Sequence, residues 1–198
     1  EDISNAPRSN SDDRRGLAGA IPLYHIAAAA AREGRSPDEV AALAQRYADS
    51  MATIAVAARC ATHPATGAEF GDLGDVDMEI GMGQHGEGGG GRQPMKTAKE
   101  TIEIMANALV KDIPLQAGDR AFVMIHGSGA TTLMEMFILY KDCVHYLEGL
   151  GIEVVANMVG EILTVQEQAG FQLNIAKWDE EFLRLWNTPA HTPAFFKE

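Results

Sequence analysis

Residues 119–149, DRAFVMIHGSGATTLMEMFILYKDCVHYLEG, contain the two patterns that decide the fold class. The apolar run AFVMI is followed by two glycines, which predicts a strand that leads into a loop. From Thr131 to Glu148 there is neither glycine nor proline, and apolar residues recur at helical spacing, so a long helix is predicted. A strand followed directly by a helix is the building unit of an α/β domain.

Two helices are predicted before this unit. The first covers residues 17–34, where Pro22 either kinks the helix or lies in its first turn. The second covers residues 36–60 and begins with a capping-box pattern, in which Ser36 is the N-cap and Glu39 is the third helical residue.

The rest of the chain supplies further strands and helices. A strand is predicted at residues 76–82, a helix at 95–113, and a short helix at 179–186. The segments 152–165 and 171–178 are predicted strands, and we expect them to pair with each other through the short polar turn between them.

The order of these segments predicts the fold class. We expect an α/β fold, a two-layer domain with a mixed β-sheet and helices packed mainly on one face. Residues 16–198 are expected to form this single domain, and the polar residues 1–15 are expected to be a flexible N-terminal segment.

Composition excludes several classes of protein. The formal net charge of −12 argues against a nucleic-acid partner, because a phosphate-binding face needs clustered Lys and Arg. No run approaches the roughly 18 to 20 apolar residues of a membrane span, so no membrane association is expected. Cys60 and Cys143 lie in apolar stretches and suit buried thiols in the reducing cytoplasm better than a disulfide.

The glycine-rich stretch at residues 78–92, MEIGMGQHGEGGGGR, is the main candidate for chemistry. GMGQHG satisfies the G-x-G-x-x-G pattern, but EGGGGRQP follows where a dinucleotide site needs a helix to begin. A phosphate-binding P-loop would need Gly-Lys-Ser/Thr, and a zinc site would need more ligands than His85 and Glu87. Two interpretations stay open: a solvated flexible loop, or a loop whose glycines allow a small ligand to approach His85.

The second interpretation has a definite chemistry. A neutral imidazole nitrogen is a nucleophile near neutral pH if its other nitrogen donates to a fixed acceptor, and Glu87 is a candidate acceptor. Addition of that nitrogen to the carbonyl carbon of a small ketone would give a hemiaminal.

The stretch DVDMEIGMGQHGEGGGGR closely resembles the segment with the MEIGxGIHGEPG pattern in the substrate-binding subunit of dihydroxyacetone kinases. The segments at residues 12–44, 118–140 and 151–195 are similar to further blocks of that family, in the family's order. The resemblance therefore covers nearly the whole chain.

The resemblance implies a function and an incomplete site. In that family the histidine of the HGE motif, His85 here, binds a short-chain ketose covalently as a hemiaminal. The phosphoryl group comes from a partner domain or subunit that holds ATP with magnesium or is a phosphoprotein, so no cofactor or metal is expected on this chain. The family's earlier substrate domain, with its acid/base pair, is not recognisable here, so the chain is expected to be the carboxy-terminal portion, and a homodimer is expected.

We expect His85 to be the catalytic residue and substrate contacts to come from Gly83, Gly86, Glu87 and His126. Two motifs depart from the family pattern: HGEPG is HGEGG here, and NGLGGT is HGSGAT. A tetrulose such as erythrulose is therefore an alternative to dihydroxyacetone, and a ketose-binding sensor or co-activator without catalysis is the alternative function.

The remaining histidines are expected to play smaller parts. Three of them are expected to be structural or solvated: His25, His145 and His191. His63 lies in a loop that could approach the glycine loop, and His126 opens a loop at a strand end.

Overall fold

A computed structural model describes residues 1–84, 86–89 and 91–198. A short 3-10 helix, Arg8–Asp13, precedes the other elements. The helices are α1 (Ala20–Arg32), α2 (Pro37–Ser50), α3 (Ala98–Asp112), α4 (Leu133–Gly149) and α5 (Glu180–Trp186). The strands are β1 (Met51–Arg59), β2 (Asp77–Ile80), β3 (Gly91–Pro94), β4 (Arg120–Gly127), β5 (Glu153–Glu161), β6 (Ala169–Trp178), β7 (Ala190–His191) and β8 (Phe196–Lys197).

The first six strands form one mixed sheet, which confirms the α/β class. Their order is β3-β2-β1-β6-β4-β5, and only β4 and β5 are parallel neighbours. β7 and β8 form a separate small hairpin near the carboxyl end.

Helices cover both faces of the sheet, whereas the sequence predicts a two-layer arrangement with helices mainly on one face. On β4, Val123 packs into the cluster with α3 and α4, whereas Phe122 packs into the cluster with α1, α2 and α5. Alternate residues of a strand point to opposite faces, so the unbroken apolar run of β4 is the mark of a strand buried on both sides.

The amino-terminal helical pair is confirmed in part. The capping box of Ser36 and Glu39 is present, and Pro22 lies in the first turn of α1. The second helix ends at Ser50, however, and the predicted helical residues 51–59 form the central strand β1. This alanine-rich stretch has the composition of a helix, and its continuous burial removes the alternation that would mark a strand.

The last two long strands do not pair with each other, contrary to expectation. β4 lies between them, parallel to β5 and antiparallel to β6. Seven residues, 162–168, connect β5 to β6, which is long enough to pass over the end of β4.

Residues 1–15 are packed against the domain, which differs from the flexible segment that we expected. Asp2 is buried and forms a parallel bridge with Thr53 of β1. Arg8 and Arg14 both pair with Asp112 at the end of α3, at 2.6 and 2.5 Å. Burial by itself raises the pKa of Asp112, but the hydrogen bonds from the two arginines outweigh it and hold the pKa below its usual value.

Cys60 and Cys143 are buried and unbonded, as the sequence predicts. Burial raises the pKa of both thiols, that of Cys143 to about 12. Over the described part of the chain, no helix combines the length and apolar character that crossing a membrane requires.

Candidate functional site

The glycine-rich stretch forms the turn of a β-hairpin. β2 and β3 pair antiparallel from Asp77 with Pro94 to Ile80 with Gly91, and the described residues 81–84 and 86–89 belong to the turn between them. Strand β3 follows the turn, so no helix begins after the third glycine of the G-x-G-x-x-G pattern.

Short hydrogen bonds within the turn fold it tightly. The Gly83 N–H donates to the Glu87 carbonyl oxygen at 2.7 Å, and the Gly86 N–H donates to the Gly83 carbonyl oxygen at 3.1 Å. Gly86 has φ +81°, and a Cβ there would lie 3.1 Å from the Cβ of Phe70. Glycine at this position therefore allows both the backbone conformation and the close approach of the turn to Phe70. The structure thus brings three of the expected substrate-binding residues, Gly83, Gly86 and Glu87, into one turn.

Arg15 anchors this turn to the amino-terminal segment. Its guanidinium donates to the Gly81 carbonyl oxygen at 3.0 Å and to Ser4 Oγ at 2.7 Å, and it pairs with Asp2 at 2.7 Å. A fourth contact, 3.6 Å long, reaches a carboxylate oxygen of Glu87. A planar group with several fixed donors can hold both ends of a turn at once.

A cleft of about 430 Å³ lies beside the turn. Its volume falls within the range of small-molecule sites. Its lining combines apolar side chains with amide and hydroxyl groups: Gly16, Phe70, Gln84, Leu163, Thr164, Val165 and Gln166.

His85, the expected catalytic residue, lies outside the described residues. Its two neighbours in sequence both belong to the cleft region, since Gln84 lines the cleft and Gly86 packs on the cleft residue Phe70. The expected catalytic role of His85 therefore stays a prediction.

The second glycine loop, HGSGAT, contacts the part of the cleft lining formed by residues 163–166. The Val165 N–H donates to the Ser128 carbonyl oxygen at 2.8 Å. Gly129 has φ +126°, and a Cβ there would overlap the Gln166 carbonyl oxygen. Gln166 itself has φ +42°, which is uncommon for a residue other than glycine. The wall of the cleft is thus held in a specific backbone conformation by a loop that does not line it.

His126 lies on β4, away from the turn. It pairs in register with Gln172 of β6, whose own neighbour across the sheet is Ala55 of β1, the strand that accepts the Gly81 N–H. This places His126 three strand spacings from the turn, about 14 Å. The ring is fully buried, and burial lowers its pKa to about 4, partly opposed by the Gly127 backbone and the Gln172 side chain. Its contact with a ligand stays a prediction.

The other histidines lie at varied places. The His25 Nε2 lies 3.0 Å from the Trp186 carbonyl oxygen in the core, while His145 and His191 are exposed. His63 contacts Phe70, with ring centroids 5.5 Å apart, so it lies behind a residue that lines the cleft. Among the described residues, no cluster of three or more His, Cys, Asp or Glu side chains is arranged to hold a metal ion.

Sequence reasoning missed four features of the site: Arg15, Phe70, Gln84 and the wall at 163–166. The sequence predicts a flexible segment at Arg15 and a strand at residues 163–165, whereas β5 ends at Glu161. The polar stretch at 166–168 was the available signal that the chain turns there.

Comparison with known proteins agrees with the sequence resemblance. The model of the Dak1 domain matches residues 1–194. A dihydroxyacetone-binding subunit DhaK of a PTS-dependent dihydroxyacetone kinase from Listeria innocua is 33% identical over 196 residues, covering 98% of this chain and 60% of that protein. The L-erythrulose kinase of Pectobacterium atrosepticum is also 33% identical, over all of this chain and 34% of that enzyme.

A solved structure gives the same result for the fold. The dihydroxyacetone kinase operon co-activator Dha-DhaQ superposes with a TM-score of 0.83 at 29% identity, covering 88% of this chain and 55% of that one. The chain thus spans 60% or less of the length of each of these relatives. From the family match over almost its entire length, we conclude that the chain belongs to the Dak1 domain family.

Proposed function

We propose that this chain is the ketose-binding component of a dihydroxyacetone-type kinase. It holds a short-chain ketose, either dihydroxyacetone or a tetrulose, as a hemiaminal on His85. A partner domain or subunit then phosphorylates the bound ketose. The names of the relatives, dihydroxyacetone-binding subunit and L-erythrulose kinase, support the substrate class.

The proposal rests on the tight turn beside a cleft whose lining combines apolar and polar side chains. Arg15 fixes the turn through Gly81, and Gly86 brings it against Phe70 at the cleft. A loop fixed at its base and open to a cleft can present a reactive group with little loss of conformational entropy on binding.

The covalent step follows from the chemistry of imidazole. One nitrogen of the neutral His85 ring adds its lone pair to the ketone carbon, and the π electrons of the C=O bond move to oxygen. The other ring nitrogen loses its proton, and the oxygen gains one, so the product is a neutral hemiaminal with one new C–N bond. A polyol such as glycerol has no carbonyl carbon to attack, so the step selects ketoses.

Phosphoryl transfer would then depend on positioning. The tethered ketose presents a hydroxyl to the donor, and holding two reactants in line supplies much of the rate enhancement. In the described chain, a strand and not a helix follows the glycine turn, so the turn does not lead into a helix N-terminus that could bind phosphate groups. This suits a component that holds the ketose, which is the phosphoryl acceptor. The buried, unbonded thiols of Cys60 and Cys143 suit the reducing cytoplasm, which is the expected location.

Replacement of His85 tests the proposal. We expect His85→Ala to abolish the mass increase of one ketose in native mass spectrometry while the thermal unfolding temperature changes little. His145→Ala, at an exposed position on α4, is the matched control and should retain the adduct. An undiminished adduct in the His85→Ala protein would refute the covalent role.

A second candidate function is a non-catalytic ketose sensor, favoured by the similarity to the co-activator Dha-DhaQ. A sensor would form the adduct but would never yield a phosphate ester. An assay in which the chain is complemented with the family's earlier substrate domain separates the two functions, with a dihydroxyacetone kinase nucleotide-binding subunit, ATP and magnesium in one arm and a phosphoprotein donor subunit in the other.

A further inference from the structure

Gln84 is a polar side chain in the turn that the described structure leaves without a partner. It is half-buried, it lines the cleft, and it comes directly before His85 in the sequence. Its amide oxygen is buried from solvent and accepts no hydrogen bond in the described chain. A buried amide oxygen is normally satisfied, so an unpaired acceptor on a side chain that lines a cleft is one that a ligand donor can satisfy once the side chain turns toward the cleft.

The groups around Gln84 do not provide that donor. Thr164 and Gln166 line the same cleft, yet neither hydrogen-bonds the Gln84 oxygen. Arg15, which contacts the turn, directs its donors to the Gly81 carbonyl oxygen, to the amino-terminal segment and to Glu87.

The cleft is larger than a three-carbon ketose requires. Its volume is about 430 Å³, which is about 14 times the volume of one water molecule in the liquid. A ketose of three carbons and three oxygens would leave part of this space to solvent. A longer ketose could fill more of the cleft and bring another hydroxyl to its wall.

We propose that Gln84 is a specificity-determining residue that accepts a hydrogen bond from a hydroxyl of a ketose with four or more carbons. This inference rests on the proposed function, because it assumes that the ketose is held at the neighbouring residue. The family pattern MEIGxGIHGEPG carries isoleucine at this position, and an apolar side chain offers no acceptor to a hydroxyl. Gln84 thus favours ketoses that carry a third hydroxyl over dihydroxyacetone, which carries two.

The test compares dissociation constants for dihydroxyacetone and for each enantiomer of erythrulose by isothermal titration calorimetry. Gln84→Met keeps the length of the side chain and removes the amide. One hydrogen bond corresponds to about a 3- to 10-fold change in affinity. We expect Gln84→Met to weaken binding of one erythrulose enantiomer by that factor and to change dihydroxyacetone binding less than about twofold. Gln116→Met, the same change at an exposed position, should alter neither.

The outcomes separate this inference from the function on which it rests. Equal losses for both ketoses, or no loss for either, would overturn the role of Gln84 and leave the covalent site standing. Absence of any ketose binding by the unaltered protein would instead overturn the proposed function, and the inference with it.

Discussion

His126 is a buried histidine whose environment favours the neutral ring. Neither ring nitrogen has a hydrogen-bond partner of normal geometry in the described chain, and His126 pairs with Gln172 of β6 near the carboxyl end of β4. Burial lowers its pKa from about 6.5 to about 4. The unfolded chain therefore takes up a proton at this residue at a higher pH than the folded chain does.

The consequence is a loss of stability as the pH falls from about 6.5 to about 4. Above this range both states carry a neutral ring, and below it the full penalty applies, roughly 3 kcal/mol for the shift in pKa. We expect His126→Asn to flatten this part of the profile when the free energy of unfolding is measured by urea titration at several pH values. A variant whose profile is as steep as that of the unaltered protein would show that another group is responsible.

Two loops pack closely at the cleft, the HGSGAT loop and the connection at residues 162–168. Gly129 leaves no room for a side chain, because a Cβ would overlap the Gln166 carbonyl oxygen, and its φ of +126° disfavours other residues. Gly149, at the end of α4, has open space around its Cα and is not in the left-handed region.

These two glycines give a matched pair of variants. We expect Gly129→Ala to destabilise the protein by about 2–4 kcal/mol and to weaken ketose binding, because the wall of the cleft must move. Gly149→Ala should be neutral or stabilising by up to about 1 kcal/mol. Thermal unfolding and ketose titration measure both effects, and equal stabilities for the two variants would contradict the packing argument.

The predictability of the elements follows from what local sequence encodes. The capping box of Ser36 and Glu39 is a local interaction and was found, whereas the boundary at Ser50 was not. Met51–Arg59 has the composition of a helix but lies between two strands, and only its position in the sheet decides its conformation. Likewise, the glycine turn was recognisable as a motif, but the cleft beside it depends on contacts with residues far away in sequence.

The amino-terminal segment connects distant parts of the molecule. Ion pairs join this segment to the end of α3 through Asp112 and to the glycine turn through Arg15. Partners about 100 residues apart leave no local pattern, which is why composition suggested flexibility. The glycine turn is thereby tied to the same segment that pairs with β1 at Thr53.

The proposed function requires a carbon–nitrogen bond between His85 and a small ketose. The most direct measurement is an NMR spectrum of protein with 15N-labelled histidine in the presence of dihydroxyacetone labelled with 13C at the ketone carbon. We expect the labelled carbon to leave the carbonyl region, appear in the sp3 region and show a one-bond coupling to 15N that is lost in His85→Ala. A carbon that keeps only its free ketone and hydrate resonances, at ketose and protein concentrations where binding is saturated, would contradict the claim.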